Sequence, residues 1–393
     1  MTKPTPRKVN LGGAIVAAGI TLVIGVFIGI NWNSFAGKFL PYLGFKSSSS
    51  TDWSALDEVY SELNLKYDGA IDKSAAIEGA KKGIAASLGD VYTAYMTAEE
   101  ATDFNKSLHG DVGSGIGVVL AKRDGYIRIV RTLPDNPASK AGILSGDIIY
   151  KINGELVYDL EADDIATKLR GTSGTEVELA VVRDGEEKSF KLIRETINNV
   201  SAYIEYLDNT AIVHITRFDT DTGAIVRDFT KEFGDKNINK VIIDLRDNGG
   251  GYVSAAKDLL SLWIDSKAIL IQKSSKLPSD TTYAAHGQAT LADMKTIVLV
   301  NNGTASASEI VAGALKDYGK ATIIGETTYG KGVVQQLVNL TNGSLLKVTT
   351  AHWYTPNGNT INGTGITPDQ EVIRTYDDIN KNRDPQLDAA LAY

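Results

Sequence analysis

The chain has 393 residues and 43% hydrophobic content, enough for roughly two or three domains with real cores. Its net charge of −8, from 40 basic against 48 acidic residues, argues against a nucleic-acid partner, which needs a basic surface. Cysteine is absent, so thiol nucleophiles, disulfides and cysteine-ligated metals are excluded, and none of the histidines (His109, His214, His286, His352) stands in an H-E-x-x-H zinc pattern.

Residues 1–10 carry Lys3, Arg7 and Lys8, and Leu11 to Ile30 then runs 20 residues without a charge. At 1.5 Å per residue this stretch spans about 30 Å, a hydrocarbon core. The charge bias predicts one transmembrane helix at 11–30, with 1–10 cytoplasmic and the rest extracytoplasmic: a single-pass protein of the cell membrane. A cleaved signal peptide is the alternative, but its apolar region is shorter and no clear A-x-A site follows. Residues 31–51 read as a linker ending in a serine run, Ser47 to Ser50.

Residues 52–107 form a small helical region. Trp53, Leu56, Val59, Tyr60 and Leu63 recur at helical spacing, and an alanine-rich helix is predicted over 74–88. Residues 108–195 switch to short alternating runs separated by Gly, Pro, Asn and Asp, the pattern of a mainly-β domain with one helix at 163–169. Asn153-Gly154 and Asp184-Gly185 are hairpin signals. Residues 196–375 alternate strands and helices. Predicted strands at 211–216, 241–245, 296–300 and 321–324 are separated by helices at 222–233, 253–262 and 308–318, which argues for a parallel α/β sheet. Strands at 333–340 and 345–350 follow, and 376–393 ends the chain in a helix.

Four segments could carry chemistry. In Thr296–Tyr318 a strand, a polar turn and a helix place Ser306 at a helix start, where free amides and the helix dipole favour negative charge. Ser306-x-x-Glu309 is equally a capping box, which starts many ordinary helices, and Ser308 is as ambiguous as Ser306. Lys331, between Gly330 and Gly332, lies 25 residues on. The intervening strand–helix–strand unit returns it to the same sheet edge, and a buried, neutral lysine serves as a base. Read alone, Lys331 is a surface lysine in a glycine turn. The run Gly325–Gly332 approaches a P-loop but has Gly332 where the Mg²⁺-binding hydroxyl belongs. Asn248-Gly249-Gly250-Gly251 ends a buried strand and is able to aim amides at an oxyanion. Gly113-Ser114-Gly115-Ile116-Gly117 enters a strand and suits capture of a peptide carboxylate.

Together, D-L-R-D-N-G-G at 244–250, T-A-S-A-S-E-I at 304–310 and G-K-G-V-V-Q-Q at 330–336 resemble the carboxyl-terminal processing peptidases, or tail-specific proteases. The resemblance covers about residues 53–393. It implies an α/β serine protease core of parallel βαβ units, crotonase-like, at 196–375. It also implies an inserted mainly-β PDZ domain at 108–195, a small helical N-terminal domain, and one N-terminal transmembrane helix from the sequence itself. By the same resemblance Ser306 is the nucleophile, Lys331 the general base, and Gln335 the residue that orients the lysine. The amides of Ala307 and Gly250 form the oxyanion hole. Glu309 falls on a supporting position that capping explains equally well. Gly113, Ser114, Gly115, Ile116 and Gly117 match the PDZ carboxylate loop, and Arg170 would meet a bound carboxylate or the protease domain. The chain departs from the family at Val91, where proline is common. No metal or cofactor is implied. The expected partners are protein or peptide substrates held by their C-terminal tails, the cell membrane, and a second copy of the chain in a homodimer. A PDZ receptor without activity and a Ser-His hydrolase using His214 or His352 are the rival readings.

Overall fold

The computed structural model describes residues 53–123, 125–276, 279–381 and 383–393. The expected membrane segment and its linker lie outside these residues. Among the described residues no helix is long and apolar enough to cross a membrane. The chain divides into two units, 1–77 and 78–393. The first contains α1 (Ser54–Lys66), whose apolar stripe (Trp53, Leu56, Val59 and Leu63) is exposed. It also holds the start of α2 (Lys73–Ala86), where Asp72 Oδ1 accepts from the amides of Ser74 and Ala75 at 2.8 and 3.1 Å.

In the second unit, the region expected to be purely helical contains a strand, β1 (Ala94–Met96), before α3 (Ala98–Leu108). Thr97 and Glu100 close a capping box at the start of α3. The β-rich domain follows with β2 (Ser114–Gly115), β3 (Val118–Arg123), β4 (Tyr126–Thr132), α4 (Pro137–Lys140), β5 (Ile148–Ile152), β6 (Glu155–Leu156), α5 (Ala162–Leu169), β7 (Glu176–Arg183), β8 (Glu186–Ile193) and β9 (Glu195–Thr196). Strands β3-β4-β5-β7-β8 form its sheet, and β2 pairs with β9 where the domain leaves and rejoins the chain. Both hairpin signals hold: Asn153 and Gly154 (φ 51° and 80°) and Asp184 and Gly185 (φ 54° and 80°) take positive φ between paired strands. Ile129, Ile152, Ile165 and Leu179 centre the domain's own core.

The core domain adds β10 (Ala202–Leu207), β11 (Thr210–Ile215), α6 (Thr222–Thr230), β12 (Lys240–Asp244), α7 (Val253–Leu260), β13 (Ala268–Lys273), β14 (Thr281–Ala284), β15 (Lys295–Val300), α8 (Ala307–Asp317), β16 (Thr322–Gly325), β17 (Val333–Asn339), β18 (Leu345–Tyr354), β19 (Gln370–Glu371), α9 (Tyr376–Asn380) and α10 (Pro385–Ala392). Its main sheet runs β10-β11-β12-β15-β16-β19 and is parallel from β11 onward. The apolar runs of β12 and β15 are explained by cover on both faces. Val241, Ile243 and Val298 pack with Leu259, Ile310 and Val311 of the helices. Ile242, Ile297 and Leu299 on the other face pack with Ala390 of α10. A second sheet, β1-β18-β13-β14 with β17 also on β18, stands beside it. β18 continues to Tyr354, beyond the predicted residue 350, because β13 extends its ladder through His352, Trp353 and Tyr354.

The acid–base pair of the D-L-R string is structural. Arg246 holds Asp244 in a bidentate bridge (2.9 and 2.7 Å) and reaches Asp384 and Gln386 at the start of α10 (2.8 and 3.1 Å). Burial alone would raise the Asp244 carboxyl, but Arg246 and His214 hold it far below the usual carboxylate range. Removing one partner strands a buried charge, which costs about 3–5 kcal/mol. Arg246→Ala is therefore expected to lower unfolding free energy by about that amount in denaturant titration, whereas a loss under 1 kcal/mol would refute this tie to α10.

Candidate active site

Ser306 sits where β15 has ended and α8 is about to begin, half-buried, with φ 57° and ψ −117°. Positive φ at a non-glycine residue costs of order 1–3 kcal/mol and persists only where surroundings enforce it. Here the surroundings are the glycine turn after β12. The Asn248 carbonyl accepts from Ala305 N–H at 3.0 Å and Ser308 Oγ at 2.9 Å, while Thr304 Oγ1 donates to the Leu245 carbonyl at 2.8 Å. The Asn248 side chain is itself fixed, donating to the Ile215 carbonyl at 2.7 Å. Ser308 is thus a fully buried tie between loops, whereas Ser306 is half-buried.

Gly250 lies against the Ser306 turn. A Cβ on it would fall 2.8 Å from the Ala305 carbonyl, the Ala307 amide and Ser306 Cβ, and its φ is 100°. Only glycine fits there. Its amide, however, donates to Asn248 Oδ1 at 2.9 Å, so this expected oxyanion donor already has a partner. Ala307 is the first residue of α8, and its amide lies outside the intrahelical ladder.

Glu309 does far more than cap. Fully buried, its Oε2 accepts from the Ser306 amide at 2.8 Å and from the Lys331 amide at 2.9 Å. Its Oε1 accepts from the Gly330 amide at 2.7 Å and Thr328 Oγ1 at 2.6 Å. Four bonds fill the acceptor sites of a carboxylate. The two segments far apart in sequence therefore share one oxygen atom as their anchor. The Lys331 carbonyl is fixed in turn by Trp353 Nε1 at 3.0 Å. Gly332 lets this strand approach Asn362 so closely that a Cβ would meet it at 2.6 Å.

The half-buried Lys331 ammonium lies 5.3 Å from the Tyr92 ring centroid. Burial, aided by the Lys347 cation, pulls Lys331 below the usual lysine range, against the opposing pull of Glu309. Gln335 donates to the Tyr92 carbonyl rather than to the lysine. It touches Lys331 only through the aromatic ring it helps to hold. Sequence reasoning missed Tyr92. Its signal was Asp90, whose carboxylate accepts from Tyr92 N–H at 3.0 Å and Thr93 Oγ1 at 2.6 Å, an Asx-type turn that presents the ring. Val91 is 86% exposed at that turn, so valine there carries no packing burden.

The histidines stand elsewhere. His214 stacks on Tyr203 at 4.5 Å and faces Asp244 at 3.4 Å, in a cavity of about 720 Å³ between the β-rich domain and the core sheet. Neither Ser306 nor Lys331 lines it. His352 is exposed on β18. In the β-rich domain, the carbonyls of Ser114, Ile116 and Gly117 accept from the amides of Gly171, Ala138 and Leu133 at 3.2, 2.8 and 2.9 Å. They hold the 113–117 loop at the mouth of a groove of about 170 Å³ between β3 and α5. Gly113 is exposed beside it, its amide on Asp111 Oδ1 at 3.1 Å. Arg170 borders the same groove.

Comparison with known proteins agrees with this architecture. The model of peptidase family S41 matches residues 209–372, and a PDZ domain model matches residues 128–183. A "Probable CtpA-like serine protease" of Staphylococcus aureus is 32% identical over 366 residues, covering 93% of this chain and 72% of the relative. One of the same name from Staphylococcus epidermidis is 35% identical over 332 residues, covering 84% and 67%. Among solved structures, the photosystem II D1 C-terminal processing protease is similar with a TM-score of 0.59 and 27% identity, covering 82% of this chain and 87% of that one. The chain belongs to peptidase family S41 and is a serine peptidase of the CtpA-like, carboxyl-terminal processing group with a PDZ domain.

Proposed function

We propose that this protein is a membrane-anchored, extracytoplasmic endopeptidase that cleaves exported proteins with a Ser306/Lys331 dyad and recognises their C-terminal tails through its PDZ groove. The observation that carries the dyad is the Glu309 carboxylate, which binds the backbone amides of both residues through one oxygen. The apolar run at 11–30, with its preceding cations, supports the anchor. The exposed apolar stripe of α1 supports a homodimer.

In this mechanism neutral Lys331 Nζ takes the Ser306 proton as Oγ attacks the scissile carbonyl carbon. The Ala307 amide at the start of α8 stabilises the oxyanion. One such donor is worth about 3–4 kcal/mol. Collapse breaks the C–N bond, Lys331 returns its proton to the leaving amine, and water then releases the acyl group with Lys331 again as base. Glu309 has no acceptor site left for substrate, so it acts as a positioning residue. Gln335 acts likewise, through Tyr92.

Cleavage of casein should be lost in Ser306→Ala and in Lys331→Ala at unchanged thermal stability. Retained cleavage in either would overturn the dyad. Lowering of the lysine by Lys347 has a signed consequence. Activity rises with pH as Lys331 loses its proton, so Lys347→Met, which removes a repelling cation, should move the acid limb of the kcat/KM profile to higher pH. A limb that stays or moves down would contradict the assignment of Lys331 as base. Glu309→Gln should reduce kcat by about 100-fold with little change in KM, the expected cost of misplacing reacting groups by about 1 Å. A fall in stability alone, with kcat per folded molecule intact, would reduce Glu309 to a helix cap.

A further inference from the structure

The PDZ groove carries a charge that capture of a terminal carboxylate by backbone amides does not require. Its apolar wall includes Ile116, Val118 and Leu169, while Arg131, Arg170 and Arg217 also line it, and among the described residues no Asp or Glu does. One of these arginines, Arg131, has no ion pair among the described residues. Arg131 Nη2 donates to the Thr216 carbonyl at 3.4 Å, and no carboxylate lies within ion-pair distance of it among the described residues. Arg217, from the core domain, donates to the Asn199 and His109 carbonyls at 2.5 and 3.4 Å and pairs with Asp219 at 3.4 Å. The Nε atoms of both are buried without a partner among the described residues. Burial pulls Arg131 below the usual guanidinium range, against the attraction of Tyr203, Asp247 and Asp244 across the sheet. Arg131, half-buried without an ion pair, has only the more distant Asp244 and Asp247 of the larger cavity to balance it, so a carboxylate supplied by a ligand would stabilise it.

The sheet geometry says where that counter-ion would come from. Val118 and Leu120 pack onto the domain's core, so Val119 belongs to the opposite face of β3. Arg131 stands directly across the ladder from Val119 and shares that face. A peptide added along the free edge of β3 alternates its side chains in the same way. Its terminal side chain then enters the wall of Ile116, Val118 and Leu169, and its penultimate side chain falls on the face of Arg131, beside Thr216 and Arg217. The cavity of about 170 Å³ suits one such terminal side chain rather than a folded partner.

We propose that Arg131 and Arg217 make this groove selective for tails that end in an apolar residue preceded by an acidic one, the penultimate carboxylate docking on the two guanidinium groups. Resting on the reading of the groove as a tail-binding site, this inference names the class of tail. Guanidinium–carboxylate pairing is the strong, geometrically specific choice for such recognition.

The test is fluorescence anisotropy with the full chain carrying Ser306→Ala, so that bound peptide is not cut. Labelled ten-residue peptides share an apolar terminal residue and differ only in a penultimate Glu or Gln, and a third carries Glu and a C-terminal amide. The Glu peptide should bind about tenfold more tightly than the Gln peptide, the size expected of one charged hydrogen-bonded pair. The double variant Arg131→Gln/Arg217→Gln should abolish that preference. Equal binding of the Glu and Gln peptides, with the amidated peptide weaker, would overturn the inference while leaving tail recognition standing. Equal binding of all three peptides, or of none, would overturn tail recognition itself and the inference with it. The peptide comparison needs no variant at the arginines, so a folding defect in the double variant leaves it decisive.

Discussion

One buried carboxylate ties the Ser306 turn to the Lys331 segment. Glu309 is fully buried in the first turn of α8, and its oxygens accept four hydrogen bonds from two stretches of chain: one from the Ser306 turn and three from residues 328–331. A buried carboxylate is costly unless every acceptor site is filled. The fold therefore has to bring the lysine segment to the serine turn simply to satisfy Glu309. What the constraint brings together is the backbone of the two residues, whose amides share one Glu309 oxygen. The parallel β15-α8-β16 unit supplies the coarse return of the chain, and Glu309 supplies the fine one.

A second constraint acts on the Ser306 turn from the opposite side. Asn248 ties the glycine turn to Ala305 and Ser308, and Gly250 leaves space for nothing larger than hydrogen. Between these two clamps Ser306 is held at positive φ, a strain that a looser loop would relax. The lysine, for its part, is shaped by its cover. Tyr92 arrives from the strand-and-helix region at the front of the second unit, held by Gln335 and by the Asp90 turn. Nearby Lys347 adds repulsion to burial.

Much of this was legible in the sequence because the relevant signals are local. The apolar runs of β12 and β15, the two hairpin dipeptides and the Ser306-x-x-Glu309 box each act over a few residues. The expectation that Ser306 and Lys331 meet rested on the βαβ unit between them, whose crossover has a strongly preferred hand. What sequence could not give were contacts set by long-range packing. β13 and β14 were invisible because their short segments gain strand character only by pairing with each other and with β18. β1 was hidden inside a helical region, since its three residues are strand only by virtue of the β18 edge. Glu309 looked like an ordinary cap because its other three donors lie 19 to 22 residues downstream. Gln335 was expected to touch the lysine, but its amide reaches a carbonyl 243 residues earlier. The Gly250 amide was expected to be free for an oxyanion, and the Asn248 side chain two residues before it takes that bond.

In the proposed mechanism, burial and a neighbouring cation keep Lys331 available as a base. The most direct measurement is the titration of its side chain by NMR, with ¹³C-labelled lysine, Lys331 being assigned by difference against Lys331→Arg. The account predicts that this signal titrates at lower pH than those of the exposed lysines. A Lys331 that titrates together with the surface lysines would contradict it.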